Sequence, residues 1–228
     1  MTMRISLLLV SSYLVGSIPF GVIVGRAWRG VDVRKYGSGN IGFSNVLRVL
    51  GWRPASVVLL GDTLKGLAPA LVARAALRAW AIQEADLWLL AVALAAILGH
   101  SFSVFLGFRG GRAVTTTGGV LLGLCWPAAL IGLAIWLTLV AITRYISVGS
   151  MAAAASVPVY MLLSGRRWEW LAFWSAVAAL VILRHTPNIR RLLSGTEAKI
   201  GQRVVGPGGV NDLASEPGRP ESQGNGQD

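Results

Sequence analysis

Apolar runs about as long as a bilayer-spanning helix recur along this chain, separated by short polar and basic stretches. That recurrence restricts the fold more than any single motif does. The composition agrees: 54% of the 228 residues are hydrophobic, 14% are charged and mean hydropathy is +0.61, values rare for a soluble domain of this size. Nine tryptophans fit the same class, because Trp gathers where helices leave the hydrocarbon. The reading is an all-α integral membrane protein.

Seven spans are predicted, at residues 5–24, 54–75, 87–105, 114–124, 127–142, 147–163 and 168–183. The first has the charge-then-apolar order of a signal peptide, but its apolar run is too long and lacks a clear cleavage site. Pro19 and Pro69 mark expected bends. The segment Asn45–Trp52 is expected as a short interfacial helix with Val46, Leu47, Val49 and Leu50 toward lipid. Residues 1–205 read as one membrane domain, and 206–228 as a disordered tail rich in Gly, Pro, Ser, Asn and Gln.

The net charge of +11 does not signal nucleic acid, because the basic residues flank apolar segments. They report topology first, and a preference for anionic lipids or substrates second. About fourteen Lys and Arg follow spans one, three, five and seven, against about five on the other side. That bias puts the N-terminus outside and the C-terminus in the cytoplasm. Oligomeric state is left open. Cys125 is the only cysteine, which excludes an intrachain disulfide and a cysteine-rich metal site.

Three polar stretches then fall on the same cytoplasmic face. In 37–48, GSGNIGFSNVLR, Gly37, Gly39 and Gly42 let backbone approach a ligand. Ser38, Asn40, Ser44 and Asn45 add short hydrogen-bonding groups, and Arg48 adds a fixed cationic fork. In 109–117, Arg109 and Arg112 bracket Gly110 and Gly111 ahead of three threonines, a phosphate cradle by composition though not a Walker loop. The third, 184–199, carries Arg184, His185, Asn188 and Arg190, and Ser147 and Ser150 open the sixth span at the same face. One shared basic site at membrane level is the economical reading. Asp62 and Lys65, three residues apart within the second span, share a helix face. They read either as a neutralising structural pair or as a substrate-facing lysine oriented by an aspartate.

Missing residues narrow the chemistry. There are two histidines, His100 and His185, and no paired carboxylates. Metal ligands are too few for a hydrolase site, and no motif supports a Ser-His-Asp triad. Phe105 and Arg190 stand five residues after the histidines, so the H-x-x-x-x-D signature of the large glycerolipid acyltransferase family is absent. His100 reads as a packed polar residue at a helix end. A site rich in phosphate donors and poor in acid–base groups can carry an anion. It can also run a reaction that needs positioning and charge stabilisation, such as acyl transfer from an acyl phosphate.

The stretches GSIPFG, KYGSGNIGFSNVLRVLGW, GDTLKG, GHSFSVFLGFRGGRAVTTTGG, RYISVGS and RHTPNIRRLLSGTEAK occur in this order over most of residues 13–200. In them the chain resembles the bacterial acyl-phosphate:glycerol-3-phosphate acyltransferases, the PlsY family. The resemblance implies seven spans in the bacterial inner membrane and an active site on the cytoplasmic side. It also implies transfer from acyl phosphate to glycerol 3-phosphate without any cofactor or metal. The partners would be those two substrates and membrane lipids. By motif match, Ser38, Arg48, Arg112 and His185 would be catalytic. Asn40, Ser44, Lys65, Gly110, Gly111, Ser150 and Asn188 would bind substrate. The chain departs from the family at Phe43 and Ser44 (usually Ala-Thr), at Ser103 (usually Pro), and at Arg109 and Arg112, where lysine is favoured. Arg and Lys are not interchangeable at a phosphate site. The alternative is a non-catalytic carrier of an anionic lipid or phosphorylated metabolite. A carrier often shows an internal repeat, and none is visible here.

Overall fold

In a computed structural model, which describes residues 2–202, every regular element is helical among the described residues. The proposed tail at 206–228 lies outside them, as does Arg203 of the basic C-terminal region. In chain order the helices are α1 (Thr2–Ser17), α2 (Phe20–Arg29), α3 (Phe43–Leu50), α4 (Trp52–Ala79) and α5 (Ala85–Ser101). Then follow α6 (Val114–Leu124), α7 (Trp126–Thr143), α8 (Ile146–Leu163), α9 (Trp168–Arg184) and α10 (Thr186–Leu193).

Among the described residues, five segments are long and apolar enough to cross a membrane: Thr2–Arg29, Trp52–Ala79, Ala85–Leu106, Trp126–Thr143 and Ile146–Leu163. A sixth arises if α9 and α10, bent by 54° at His185, count as one. The bend expected at Pro19 is present as a break between α1 and α2, whereas α4 continues through Pro69. Span four corresponds to α6, whose eleven residues reach only about 16 Å, roughly half a hydrocarbon core.

Glycines let helices in the bundle meet backbone to backbone. A Cβ on Gly16 would strike the Ala96 carbonyl, and Ser12 Oγ donates to Val92 O at 2.7 Å, so α1 and α5 run parallel. A Cβ on Gly66 would meet the Thr116 carbonyl and one on Gly119 the Thr63 carbonyl, which locks α4 against α6. This close approach is how helices associate where lipid tails are as apolar as the side chains. The largest core cluster joins α4, α5, α6, α8 and α9 around Trp174, Met161 and Ile97. Cys125 is buried within it, packed as expected.

A second, smaller core holds Val33, Val46, Ala55 and Val58, all fully buried. It corrects the orientation expected for the short amphipathic helix. Val46 faces protein, with Leu47 and Leu50 packed against the same core, because α3 folds onto α4 rather than lying free in the interface. α3 therefore serves as a platform for the loop before it.

Candidate active site

Gly37 and Gly39 have φ of +58° and +69°, values that suit glycine, and turn the chain sharply around Ser38. The turn is held from inside by Asn45, which is fully buried. Asn45 Nδ2 donates to the carbonyls of Val33 (2.9 Å), Tyr36 (3.2 Å) and Asn40 (2.8 Å). Its Oδ1 accepts from the Ser38 N–H at 2.8 Å and the Ser38 hydroxyl at 3.2 Å. Asn40 Oδ1 accepts from Gly42 N–H at 3.2 Å. The Ser38–Asn40 turn is thus preorganised. Its organiser, Asn45, was visible in the sequence only as one polar residue among several. Ser44 lies half-buried in the first turn of α3.

On α3 the Arg48 guanidinium donates through Nη2 to Ala198 O at 3.1 Å, while its Nε is buried without a partner. That contact joins the first polar stretch to the last. The 196–200 segment folds back over this face and is tied again at Arg144, which accepts from the Ile200 N–H and donates to Ile200 O. Its centre is Glu197, 5% exposed. Glu197 accepts from Ser147 Oγ (2.9 Å) and Asn188 Nδ2 (2.7 Å) at one oxygen, and from Arg191 Nε (2.7 Å) at the other. Burial pushes its carboxyl up, but these donors outweigh it and hold the group below the usual range. Neither Glu197 nor Arg191 was among the expected site residues. The signal was the carboxylate itself, a lone acid in a basic stretch.

His185 is buried at the bend between α9 and α10, with Nδ1 on the Val181 carbonyl at 2.8 Å. One turn on, Asn188 keeps Oδ1 buried and unpartnered, as is Arg191 Nη2. Arg112 brings a further cation. Its own burial, then neighbouring Arg191, lower its pKa to about 10, with Arg48 and Arg184 adding to the repulsion and Glu197 opposing it. Four arginines and one fully engaged carboxylate thus share this face, which suits an anion.

The glycine loop differs from expectation. Gly110 N–H donates to Ser101 O at 3.1 Å and Gly111 N–H to His100 O at 3.0 Å, so neither amide points to a ligand. The pair is glycine because of packing: a Cβ on Gly110 would strike the His100 carbonyl, and one on Gly111 the His100 ring. The amides left open are at the start of α6, at Val114, Thr115 and Thr116, as at any helix N-terminus.

Two expected residues, Lys65 and Ser150, are engaged by other protein groups. Lys65 is buried, with Nζ 2.7 Å from Asp62 Oδ1 and donating to Ile18 O at 2.8 Å. The neutralising pair is thus present, and it caps the carbonyl freed at the α1–α2 break. His100 joins it, with Nδ1 3.7 Å from Asp62 Oδ1 and 3.2 Å from Thr116 Oγ1. Ser150 lies one helical turn beyond Ser147, donating to Ile146 O and accepting from Trp136 Nε1. Arg109 is exposed.

Known proteins match this arrangement along most of its length. The model of the family described as glycerol-3-phosphate acyltransferase matches residues 6–195. The glycerol-3-phosphate acyltransferase of Geobacter sulfurreducens is 48% identical over 186 residues, covering 82% of this chain and 92% of that protein. The Rubrobacter xylanophilus protein of the same name is 45% identical, covering 89% and 98%. A crystal structure of PlsY (YgiH), an integral membrane glycerol 3-phosphate acyltransferase, in its glycerol 3-phosphate form, is similar with a TM-score of 0.80. It is 37% identical and covers 87% of this chain and 96% of that one. Its lysophosphatidic acid form gives a TM-score of 0.78 at 36% identity. With the family model matching residues 6–195 and the Geobacter and Rubrobacter relatives 45–48% identical over most of their own length, the chain belongs to the glycerol-3-phosphate acyltransferase family.

Proposed function

We propose that this protein transfers an acyl chain from acyl phosphate to the free primary hydroxyl of sn-glycerol 3-phosphate. The products are 1-acyl-glycerol 3-phosphate and phosphate, the first acylation of phospholipid synthesis. The observation that carries the reading is the gathering of Arg48, Arg112 and Arg191 around Glu197, a carboxylate already engaged by donors, with Arg184 near Arg112. Such a site binds phosphate groups strongly and offers little general base. It therefore suits a donor whose leaving group is good and can take the proton itself.

In this mechanism Arg112 and the open amides of α6 hold one phosphate. Arg48 and the Ser38–Asn40 turn, with Ser44 at its end, position the other substrate. His185 and Asn188 orient glycerol 3-phosphate by hydrogen bonds. The glycerol hydroxyl oxygen attacks the acyl carbon, the acyl carbon–phosphate oxygen bond breaks, and the hydroxyl proton passes to the departing phosphate. The cationic face stabilises the negative charge throughout. Lys65, Gly110, Gly111 and Ser150 act by holding the frame.

The bundle also supports the finer topology. With α1 parallel to α5, α4 must return between them, and α6 must carry the chain back before α7. That alternation and the distribution of basic residues favour the reading of seven crossings with an outside N-terminus and a cytoplasmic site.

The test is product formation by purified protein in lipid or detergent. Glycerol 3-phosphate is supplied with long-chain acyl phosphate, and in parallel with acyl-CoA. Lysophosphatidic acid from acyl phosphate alone supports the donor assignment; product from acyl-CoA alone refutes it. Arg48→Ala and His185→Ala should each remove most turnover in folded protein.

A further inference from the structure

The geometry points to Arg184 as a positioning residue that clamps the glycine loop and thereby sets the place of Arg112 and the α6 amides. Its Nε donates to Gly111 O at 3.1 Å and its Nη2 to Gly110 O at 2.8 Å, a fork spanning two consecutive carbonyls. The guanidinium lies 5.3 Å over the ring of Phe102, which fixes its plane. From the opposite side the same two residues rest on His100, through both its carbonyl and its ring. His100 is in turn held by Thr116 of α6 and lies beside the buried Asp62–Lys65 pair.

The glycine pair is therefore held by Arg184 and by the His100–Ser101 backbone, with all four of its backbone polar groups engaged. Arg112 follows it directly. Two consequences arise from the fork. It engages the two carbonyls, which would otherwise repel an anion held near Arg112. It also ties this loop to the first residue before His185, so α9 and the loop move as one body. This inference rests on the reading of Arg112 and the α6 amides as phosphate holders.

A lysine at this position keeps the charge but cannot bridge two carbonyls in one plane. The experiment uses full-length protein in lipid nanodiscs, as wild type, Arg184→Lys and Phe102→Leu. Hydrogen exchange of segment 107–113 is followed alongside steady-state kinetics and inhibition by inorganic phosphate. Arg184→Lys should accelerate exchange in 107–113 without changing the helix cores. It should also raise KM for the phosphate-bearing substrate about ten- to a hundredfold, as expected for losing one or two charge-assisted bonds. Phosphate inhibition should weaken by the same factor. Phe102→Leu, at a half-exposed ring that folding tolerates, should give a smaller change in the same direction.

Unchanged exchange in both variants overturns the clamp. Wild-type kinetics in Arg184→Lys also overturn it, leaving charge alone as the role of Arg184. Faster exchange with unchanged KM and phosphate inhibition overturns the positioning role and, separately, the assignment of phosphate to this loop.

Discussion

Replacing Asn45 by leucine tests whether the first polar loop is a preorganised part of the site. The two residues are similar in size, and the position is fully buried, so the change is chemical more than steric. It removes contacts to three carbonyls and two donors in the 33–40 turn. The amide has only two hydrogens for those three carbonyls, so the loss amounts to about four effective hydrogen bonds. Val33 is itself fully buried, and its carbonyl would keep only the longer bond from the Tyr36 N–H at 3.4 Å. At about 1 kcal/mol net each, with partial rescue by water at half-exposed Ser38 and Asn40, the cost is about 3 kcal/mol. For a chain of this length that lowers the unfolding midpoint by roughly 10 °C. Because α3 carries both Asn45 and Arg48, turnover should fall at least tenfold at temperatures where the protein remains folded. Thermal unfolding by size-exclusion recovery, with product formation from acyl phosphate, reads both. Asn40→Ala, losing one 3.2 Å bond, should cost about 1 kcal/mol or less. An Asn45→Leu protein within 2 °C and twofold of wild type would refute the reasoning.

Two further outcomes are expected. Glu197 titrates lower in the folded protein than its ordinary value of 4.5. The stability it contributes is therefore present above that value and is lost as pH falls through the lower folded value. Glu197→Gln should flatten this acid limb, measured as unfolding midpoint between pH 6 and 3, while lowering the midpoint at pH 7. For the buried Asp62–Lys65 pair, Asp62→Asn or Lys65→Met alone should destabilise by about 3–5 kcal/mol, since each leaves a buried charge. Combining Asp62→Leu with Lys65→Met should recover most of that loss. A double variant no better than the single ones would mean that the pair does more than neutralise itself.

Of the candidate site, the stretches that compose it were legible in the sequence. Ser38, Asn40, Arg48, Arg112, His185 and Asn188 stand in stretches whose donor density is unusual beside apolar runs, and the structure brings those stretches to one face. Less legible was what each group does there. Gly110 and Gly111 read as amide donors, but their N–H groups turn inward because the His100 carbonyl and ring lie where side chains would be. Asn45, Glu197 and Arg184 act through partners 5 to 74 residues away, and local pattern carries no trace of most of these pairings.

The sequence by itself determined the class: long apolar helices and their approximate ends. Those properties follow from transfer of side chains between water and hydrocarbon, which each segment expresses alone. Tertiary structure alone decided that α3 turns Val46 inward, that the short α6 sits locked against α4, and that Lys65 caps a broken helix. These depend on which backbones can approach one another and which freed carbonyls need a donor. Both conditions are set by neighbours distant in the chain.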